Sequence, residues 1–158
     1  AAGRYCCKLR RWSGKNATID DAEQLAIWWN DGTVMAYVGF PNGTGQTAKE
    51  IDAILKYDSE HTCRHLIIEV DHLPAGEMNY RIKDKDTVEI GIKICDLSLC
   101  NKGLGKKLLS MLIASLFSIW DINESLLTRM PIISAHSMFM KNSVLESCKF
   151  MKIHGKIN

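Results

Sequence analysis

Apolar residues alternate with polar ones in some segments of the chain and recur at helical spacing in others, with turn-forming residues between them. Residues 4–12 alternate and predict a first strand. Residues 22–29 carry apolar side chains near helical spacing, after two aspartates that can cap a helix and before Asn30-Asp-Gly, so they predict a helix. The stretch 38–45 is rich in turn formers and predicts a loop suited to substrate contact, and 47–55 predicts a second helix.

Three further runs have the composition of strands and are joined by short turns. They cover residues 65–70, 76–83 and 87–95, and short connections between them favour an antiparallel meander. A loop with two glycines over 101–105 and an apolar helix over 106–117 follow the last run. The chain therefore predicts strands and helices in one fold, in which a strand, a glycine loop and a helix follow one another.

Length and composition limit the classes of protein to which the chain can belong. Its 158 residues suit one domain, predicted over residues 1–158, and its 46% hydrophobic and 24% charged residues are typical of a globular protein rather than a disordered one. The net charge is +2 without a block of like charges, so we expect no nucleic-acid partner and no membrane contact. The longest apolar stretch, 108–120, is shorter than the roughly 20 residues of a membrane-spanning helix.

The six cysteines argue against a disulfide framework and against a metal site. None of them belongs to a C-x-x-C pair, and no histidine stands at zinc-finger spacing. Adjacent Cys6 and Cys7 point to opposite faces of any strand. We therefore expect free thiols, no bound metal and a cytoplasmic protein, because a reducing compartment keeps thiols free.

Two glycines, Gly103 and Gly105, stand at the start of the last predicted helix, directly after a strand. Such a loop exposes backbone N–H groups, and the helix dipole adds partial positive charge, so phosphate is its natural ligand. Two known phosphate loops do not fit. A P-loop would need glycine at Cys100 and serine or threonine at Lys107, and a dinucleotide loop would need glycine at Leu108. A glycine helix start without any ligand also stays open.

The residues around this loop carry a family resemblance. The stretch Val88-Glu-Ile-Gly-Ile-Lys-Ile-Cys-Asp-Leu-Ser-Leu-Cys-Asn-Lys-Gly-Leu-Gly-Lys-Lys-Leu-Leu109 resembles the acetyl-CoA-binding motif of the GNAT superfamily of N-acetyltransferases. That motif reads Gln or Arg, two residues, Gly, one residue, and Gly or Ala. Gly103 and Gly105 match it, while Cys100 stands where Gln or Arg is usual. Backbone amides do most of the pyrophosphate binding, so the binding mechanism survives this departure.

Two more segments are similar to one branch of the superfamily. Residues 25–35 and 75–80 resemble the branch that contains ribosomal-protein alanine acetyltransferases and aminoglycoside 6'-N-acetyltransferases, and the whole resemblance spans residues 5–119. It implies the GNAT fold, an α/β arrangement of the α+β kind with a mixed, mostly antiparallel central sheet, splayed strands and helices on both faces. It also implies acetyl-CoA as cosubstrate and direct transfer of the acetyl group to a primary amine.

In this family the pantetheine arm of the cofactor enters beside the central strand, which here is the run 87–95. The resemblance therefore implies cofactor-binding residues at the end of that strand and in the glycine loop. They are Ile92, Lys93, Ile94, Cys95, Cys100, Asn101, Lys102, Gly103, Leu104, Gly105 and Lys106. Direct transfer needs no covalent enzyme intermediate, and no histidine lies between His72 and His136 to activate Cys95 or Cys100 as a nucleophile.

Carboxylates beside the central strand are the candidate bases for the reaction. Acetyl transfer requires a neutral amine, whereas a free lysine-like amine has a pKa near 10.4, so a base or a desolvating site must remove a proton. The candidates are Glu89 on the central strand, Glu77 on the preceding strand, and Asp96 as a third. Each of the three also suits a surface carboxylate without a catalytic role.

Aromatic residues of the first helix and of the following loop are the candidate walls of the acceptor site. Trp28, Trp29 and Phe40 suit this role, although two adjacent tryptophans on a helix are more often one core and one rim residue. The resemblance implies a small-molecule amine or a protein N-terminus as the acceptor. Polyamines, aminoglycosides and other metabolites stay open, because acceptor loops vary within one fold. The sequence leaves a homodimer open as well.

Residues 120–158 lack the family pattern. The tyrosine that commonly protonates the leaving thiolate in this family has no counterpart, because the last tyrosine of the chain is Tyr80. We hypothesise a frameshift between about Phe117 and Trp120, which lies in the gene, in the clone, or only in the recorded sequence. Reading each codon's third base with the next codon's first two forces Gly, Ala, Val and Glu at four positions, and Gly, Val and Glu fall where the family has them. The shifted frame also permits a tyrosine and a Leu-Gly-Phe ending.

A genuinely divergent ending stays open, and with it two other classes of function. A chain that lacks the usual acid and the strand beside the cofactor is a catalytically impaired acyl-CoA-binding protein. A structural partner domain whose glycine loop binds nothing is the third class. If only the recorded sequence is shifted, we expect a fifth strand near 126–133 and a helix near 135–145.

Peptide mapping of the purified protein, together with its intact mass, decides between the two endings. If only the recorded sequence is shifted, peptides from the shifted frame follow residue 117, and the intact mass differs from that of the printed sequence. Peptides from residues before 117 are the internal control, because both endings share them. Recovery of peptides that match residues 120–158 as printed shows that the polypeptide carries this ending, which contradicts an error confined to the recorded sequence and favours the impaired, acyl-CoA-binding class.

Overall fold

A computed structural model of the chain describes residues 5–9, 11–84, 87–99, 104–119, 133–135 and 148–154. Its strands are β1 (Tyr5–Leu9), β2 (Trp12–Asn16), β3 (Cys63–Val70), β4 (Leu73–Asp84), β5 (Thr87–Ile94), β6 (Ile133–Ala135) and β7 (Cys148–His154). Its helices are α1 (Ala22–Asn30), α2 (Gly32–Met35), α3 (Ala48–Leu55) and α4 (Leu104–Ile119). The strands form one sheet in the order β1-β2-β3-β4-β5-β7-β6, and each described pair is antiparallel.

Helices cover both faces of the sheet. Side chains of a strand alternate between its two faces, and in β3, β4 and β5 both sets are buried. One face packs against α4 through Leu66, Ile68, Met78, Tyr80, Val88, Ile90, Ile92, Leu108, Leu112 and Leu116. The other face packs against α1, α2 and α3 through Ala22, Leu25, Trp28, Trp29, Val34, Met35, Ile51, Leu55 and Ile67. The predicted α+β class with helices on both faces is therefore confirmed.

The first predicted strand, 4–12, is wrong as a single element. The structure has a hairpin there, with β1 paired to β2 and β2 paired to β3. No sequence pattern predicts β2, because Ser13-Gly-Lys-Asn is polar and has no β-branched residue. Tertiary contacts hold it instead. Lys15 Nζ lies 3.0 Å from Asp21 Oδ1 and 3.5 Å from Glu69 Oε1, so an ion-pair cluster joins β2 to the start of α1 and to β3.

The helices follow the predicted segments closely. α1 and α3 begin and end within one residue of the predicted 22–29 and 47–55, and α4 extends the predicted 106–117 at both ends. Thr47 caps α3, since its hydroxyl accepts from Glu50 N at 3.3 Å and the Glu50 carboxylate accepts from Thr47 N at 2.7 Å. The short helix α2 was not predicted. None of the described helices combines the length and apolar character that crossing a membrane requires.

The last strands of the sheet come from the atypical ending of the chain. β7 pairs with β5 from Thr87 opposite His154 to Lys93 opposite Cys148. The strand expected near 126–133 meets β6 only at Ile133, and the preceding residues lie outside the described part. The helix expected near 135–145 starts at a residue of β6, and the remainder of that segment lies outside the described residues as well.

Candidate active site

A buried ion pair joins β4 to β5 on the face that α1 and α2 cover. The register places Glu77 directly opposite Lys93, and Lys93 Nζ lies 2.8 Å from Glu77 Oε2. The two residues are 1% and 7% exposed. Glu77 Oε1 is also buried and has no hydrogen-bond partner among the described residues. One oxygen of the carboxylate is therefore committed to the pair, and the other retains its capacity to accept a hydrogen bond.

The approach of the two strands is close beside this pair. A Cβ atom built on Gly76 would lie 2.2 Å from the carbonyl oxygen of Lys93. Only a residue without a side chain fits there, because backbone atoms of both strands would have to move for any other. Gly76 thus lets β4 approach β5 at the point where Glu77 meets Lys93.

Trp29 of α1 completes the cluster. Its indole N–H donates to Glu77 Oε2 at 2.7 Å, and Lys93 Nζ lies over its ring, 5.4 Å from the centroid. Met35 Sδ of α2 lies 3.9 Å from Lys93 Nζ. Three predicted residues with different expected roles, namely a base, an acceptor wall and a cofactor-strand residue, are therefore in direct contact.

The predicted acceptor loop is attached to the end of α1. Asn30 uses its side-chain amide to donate to Gln46 O at 2.8 Å and its carbonyl to accept from Gly45 N at 2.8 Å. Trp29 O accepts from Thr44 N at 2.8 Å. The residue that binds Glu77 is therefore bonded through its backbone to the loop that follows α2.

The two other aromatic candidates differ in position. Phe40 lies on this loop and is 48% exposed, which suits contact with a substrate. Trp28 packs in the apolar cluster under α1 and α3 and is as buried as Trp29, at 8% exposed each. The expectation of one core and one rim tryptophan is therefore wrong: Trp28 has an apolar packing role, whereas Trp29 is buried against charged groups.

A histidine that the sequence did not single out lies beside Trp29. The rings of His65 and Trp29 are 5.8 Å apart between centroids and inclined by 52°. His65 Nδ1 lies 3.0 Å from Asp58 Oδ1, and its backbone N–H donates to Asp58 Oδ2 at 2.7 Å. Asp58 thus holds His65 by polar contacts, and His65 contacts the Trp29 cluster through its ring. The only sequence signal was a histidine in a strand, a signal too common to select it.

The other two carboxylate candidates lie outside this cluster. Glu89 is about one-third exposed and pairs with Lys83 Nζ at 3.1 Å. Asp96 is exposed, and its Oδ1 accepts from Ser98 N at 2.9 Å and from Ser98 Oγ at 2.7 Å. That arrangement starts the short turn Leu97–Leu99. Of the three candidates, Glu77 alone is enclosed by α1, α2 and the sheet.

The end of β5 leads toward the glycine loop. Ala75 O accepts from both Cys95 N at 2.9 Å and Asp96 N at 3.0 Å, which ends the pairing of β4 with β5. Ile92 and Lys93 are paired with β7, whereas Ile94 and Cys95 come after the last residues of that register. The expected parting of β5 from its neighbour is therefore absent over Thr87–Lys93.

The predicted pyrophosphate loop is only partly described. Cys100, Asn101, Lys102 and Gly103 lie outside the described residues. Leu104, Gly105 and Lys106 form the first turn of α4, whose N–H groups lack partners within the helix. The backbone N–H groups of these three residues therefore have the position that an anion-binding site at the start of a helix needs.

Two cysteines lie near the site. Neither Cys63 nor Cys95 forms a disulfide within the described part of the chain. Burial raises the pKa of the Cys63 thiol, with a further contribution from the charge of Asp58, so Cys63 stays protonated at neutral pH.

Solved structures with the same architecture are numerous. A GNAT-family acetyltransferase from Streptococcus pneumoniae superimposes with a TM-score of 0.58 at 16% identity, covering 90% of this chain and 98% of that one. Spermidine N-acetyltransferase from Vibrio cholerae, solved with CoA and spermine, gives 0.65 at 14% identity, covering 93% and 97%. Aminoglycoside acetyltransferase AAC(6')-Ib, solved with coenzyme A, gives 0.56 at 13% identity, covering 89% and 93%.

The chain has the fold of GNAT acetyltransferases. The expectation drawn from residues 88–109 is thereby confirmed for the fold. At these identities the similarity concerns the fold and not the substrate. No protein-family model matches the sequence, and no curated protein matches it either.

Removing one charge of the buried pair should destabilise the protein far more than removing one of an exposed pair. Glu77→Gln leaves the Lys93 ammonium buried without a counter-charge, so we expect a loss of about 3–5 kcal/mol in the free energy of unfolding. Glu89→Gln is the matched control, since it breaks a half-exposed pair between the same two strands, and we expect about 0–1 kcal/mol. Urea unfolding measures both, and equal losses would contradict the assignment.

Proposed function

We propose that the protein is an acetyl-CoA-dependent N-acetyltransferase that transfers the acetyl group directly to a primary amine. The observation that carries this proposal is the contact of Trp29, Glu77 and Lys93 at the end of β5, in a chain with the GNAT fold. The site lies between the loop proposed for the acceptor and the strand proposed for the cofactor. The reaction class is acyl transfer without a covalent enzyme intermediate.

The cofactor proposal is supported by the start of α4. Helix α4 is 16 residues long and begins directly after the glycine loop, so its first N–H groups and its dipole favour a bound anion. Lys102, Lys106 and Lys107 place three positive charges in that short stretch, which contains no acidic residue. Ile94 and Cys95 would hold the pantetheine amides, with Leu104, Gly105 and Lys106 at the pyrophosphate. Acetyl-CoA supplies the acetyl group as a thioester.

The acceptor proposal is supported by charge on the opposite side of the molecule. The segment 17–61, which contains α1, α2 and α3, has eight acidic residues and two lysines, and several of the acids are exposed. They are Asp20, Asp21, Glu23, Asp31, Glu50, Asp52, Asp58 and Glu60, with Lys49 and Lys56. A field of this sign attracts cations and repels anions, so it favours a cationic small-molecule amine over a neutral one. Two of the similar structures are acetyltransferases named for polyamine or aminoglycoside substrates.

Glu77 is the proposed base, because its Oε1 is the one carboxylate oxygen of the buried pair that retains room for a hydrogen bond. An amine N–H at that oxygen would lose its proton to the carboxylate as the nitrogen attacks the thioester carbon. Trp29 holds Oε2, and in the acceptor-free protein Lys93 does so as well, which fixes the orientation of the carboxylate. Glu89 and Asp96 remain candidates of lower rank, since neither is enclosed by the helices.

The proton donor for the leaving thiolate is proposed to lie in the shifted frame of the ending. That frame permits a tyrosine, which the printed residues 120–158 lack. The proposed branch, with ribosomal-protein alanine and aminoglycoside 6'-N-acetyltransferases, rests on residues 25–35 and 75–80. Cys63 and Cys95 carry thiols outside any disulfide among the described residues, which supports a reducing, cytoplasmic location.

One observation favours the second candidate function, a catalytically impaired acyl-CoA-binding protein. β7 pairs with β5 as far as Lys93. These hydrogen bonds occupy the edge of β5 to which the pantetheine arm would bind. A chain with this ending binds the pyrophosphate at α4 but admits less of the pantetheine arm. Ligand binding would then persist, and transfer would be slow or absent.

Thermal unfolding and single-turnover acetylation test the proposal together. We expect acetyl-CoA to raise the unfolding temperature, because a ligand that binds only the folded state stabilises it. We expect transfer to spermine or kanamycin and little to an uncharged amide, with a peptide N-terminus as a further acceptor arm. Glu77→Gln should lower kcat by about 100-fold or more, as expected for loss of a general base, and Glu89→Gln should leave kcat nearly unchanged.

Each result has a distinct reading. A thermal shift without transfer to any acceptor assigns the chain to the binding-only class. No thermal shift with acetyl-CoA contradicts both functions and indicates a structural domain.

A further inference from the structure

The ammonium of Lys93 is enclosed by groups of three different kinds. Glu77 Oε2 is 2.8 Å away, the Trp29 ring centroid 5.4 Å and Met35 Sδ 3.9 Å. All of these side chains are buried. A carboxylate supplies the counter-charge, an indole face attracts a cation through its quadrupole, and a thioether offers a weak acceptor. Together they form a complete site for one primary ammonium group, which the chain fills with its own lysine.

We propose that Glu77, Trp29 and Met35 form an ammonium site that Lys93 occupies in the acceptor-free protein and that the amine of the substrate takes over by displacing Lys93. The proposal rests on the proposed function only in naming the incoming amine as the acceptor. The ammonium site itself consists of three side chains in contact with Lys93 and does not depend on catalytic activity. Lys93 is thereby a specificity-determining residue and not a cofactor contact.

Displacement of Lys93 conserves charge. The pair of Glu77 and Lys93 is neutral as a unit, and one ammonium replaces another, so no uncompensated carboxylate is left in the interior. The free Oε1 of Glu77 can accept a hydrogen bond from the incoming nitrogen before Oε2 releases Lys93. The lysine stem has four carbons and rotates freely, and Lys93 stands where the pairing of β5 with β7 ends. Its side chain can therefore move out while the strand stays in place.

The acidic segment 17–61 fits this exchange. An exposed negative field raises the local concentration of the incoming cation. It also favours the released Lys93 ammonium near the protein surface. An acceptor with a neutral, non-basic nitrogen has no charge with which to replace Lys93, so the site selects protonated primary amines.

Chemical rescue tests the site without any catalytic activity. Lys93→Ala removes three methylenes and the ammonium, and n-propylammonium has the same atoms. We expect saturating propylammonium to raise the unfolding temperature of Lys93→Ala by about 5 °C. Sodium and tetramethylammonium at the same ionic strength should do little, since neither has an N–H donor. If Lys93→Ala unfolds without additive, recovery of its far-UV circular dichroism by propylammonium is the same test.

Two variants are the matched controls. Lys83→Ala removes a lysine that pairs with a glutamate between the same strands but at a half-exposed position, so propylammonium should leave its unfolding temperature unchanged. Glu77→Gln combined with Lys93→Ala removes the counter-charge and should also show no rescue. Rescue that is absent in Lys93→Ala, or equal in the double variant, overturns the proposal.

Kinetics separate this inference from the proposed function. In an active enzyme, Lys93→Ala should lower the acceptor KM several-fold, because the internal competitor is gone, while Glu77→Gln raises it. An unchanged or higher acceptor KM in Lys93→Ala argues against displacement even where propylammonium binds. Rescue by propylammonium in a protein without acetyl transfer supports the ammonium site and overturns only the enzymatic role.

Discussion

The packing of α1 and α2 on the sheet depends on one interaction, the buried ion pair between Glu77 and Lys93. Two charges removed from water cost several kcal/mol each, and only close, well-oriented partners offset that cost. Three features of the structure provide such close and well-oriented partners. β4 and β5 approach closely at Gly76, the register brings the two residues opposite each other, and Trp29 donates its indole N–H to the same carboxylate oxygen. A shift of one residue in the register would separate the charges.

The same interaction connects the two halves of the proposed site. Lys93 belongs to the strand that leads to α4, and Trp29 belongs to the helix that carries the loop with Phe40. The Glu77 carboxylate contacts both residues. It therefore links the acidic helical segment to β5, the strand that precedes the lysine-rich start of α4. Opposite charge on the two sides suits a reaction that takes a cationic amine and an anionic cofactor, since each is attracted to its own side.

Sequence patterns predicted the fold better than they predicted the site. Helical spacing after two aspartates placed α1, the end of a turn-rich loop placed α3, and apolar runs placed β3, β4 and β5, because these signals are local. The polar positions Glu77 and Lys93 alternate with apolar ones, which is typical of a face in contact with water. They are buried because α1 and α2 fold over them, and no local pattern reports that contact.

The sequence selected Glu77 as a candidate base, Trp29 as a candidate wall of the acceptor site and Lys93 as a candidate cofactor contact, and it did not indicate that the three side chains touch. A family resemblance points to the backbone at the end of β5 and is silent about the side chain at that position. The contact with Met35 was equally invisible, since α2 was not predicted. β2 was missed for a related reason, because its polar residues owe their strand conformation to pairing with β3 rather than to their own propensity.

The central claim is that the chain binds CoA at the end of β5 and the start of α4. Hydrogen–deuterium exchange with and without CoA tests this claim most directly, because it locates the cofactor without relying on turnover. The account predicts slower exchange in the peptides that cover residues 94–110, from the end of β5 into α4. Little change is expected in α3, which contains none of the proposed cofactor-binding residues and acts as the internal reference. Slower exchange confined to the acidic helices, or no change in any peptide at saturating CoA, would contradict it.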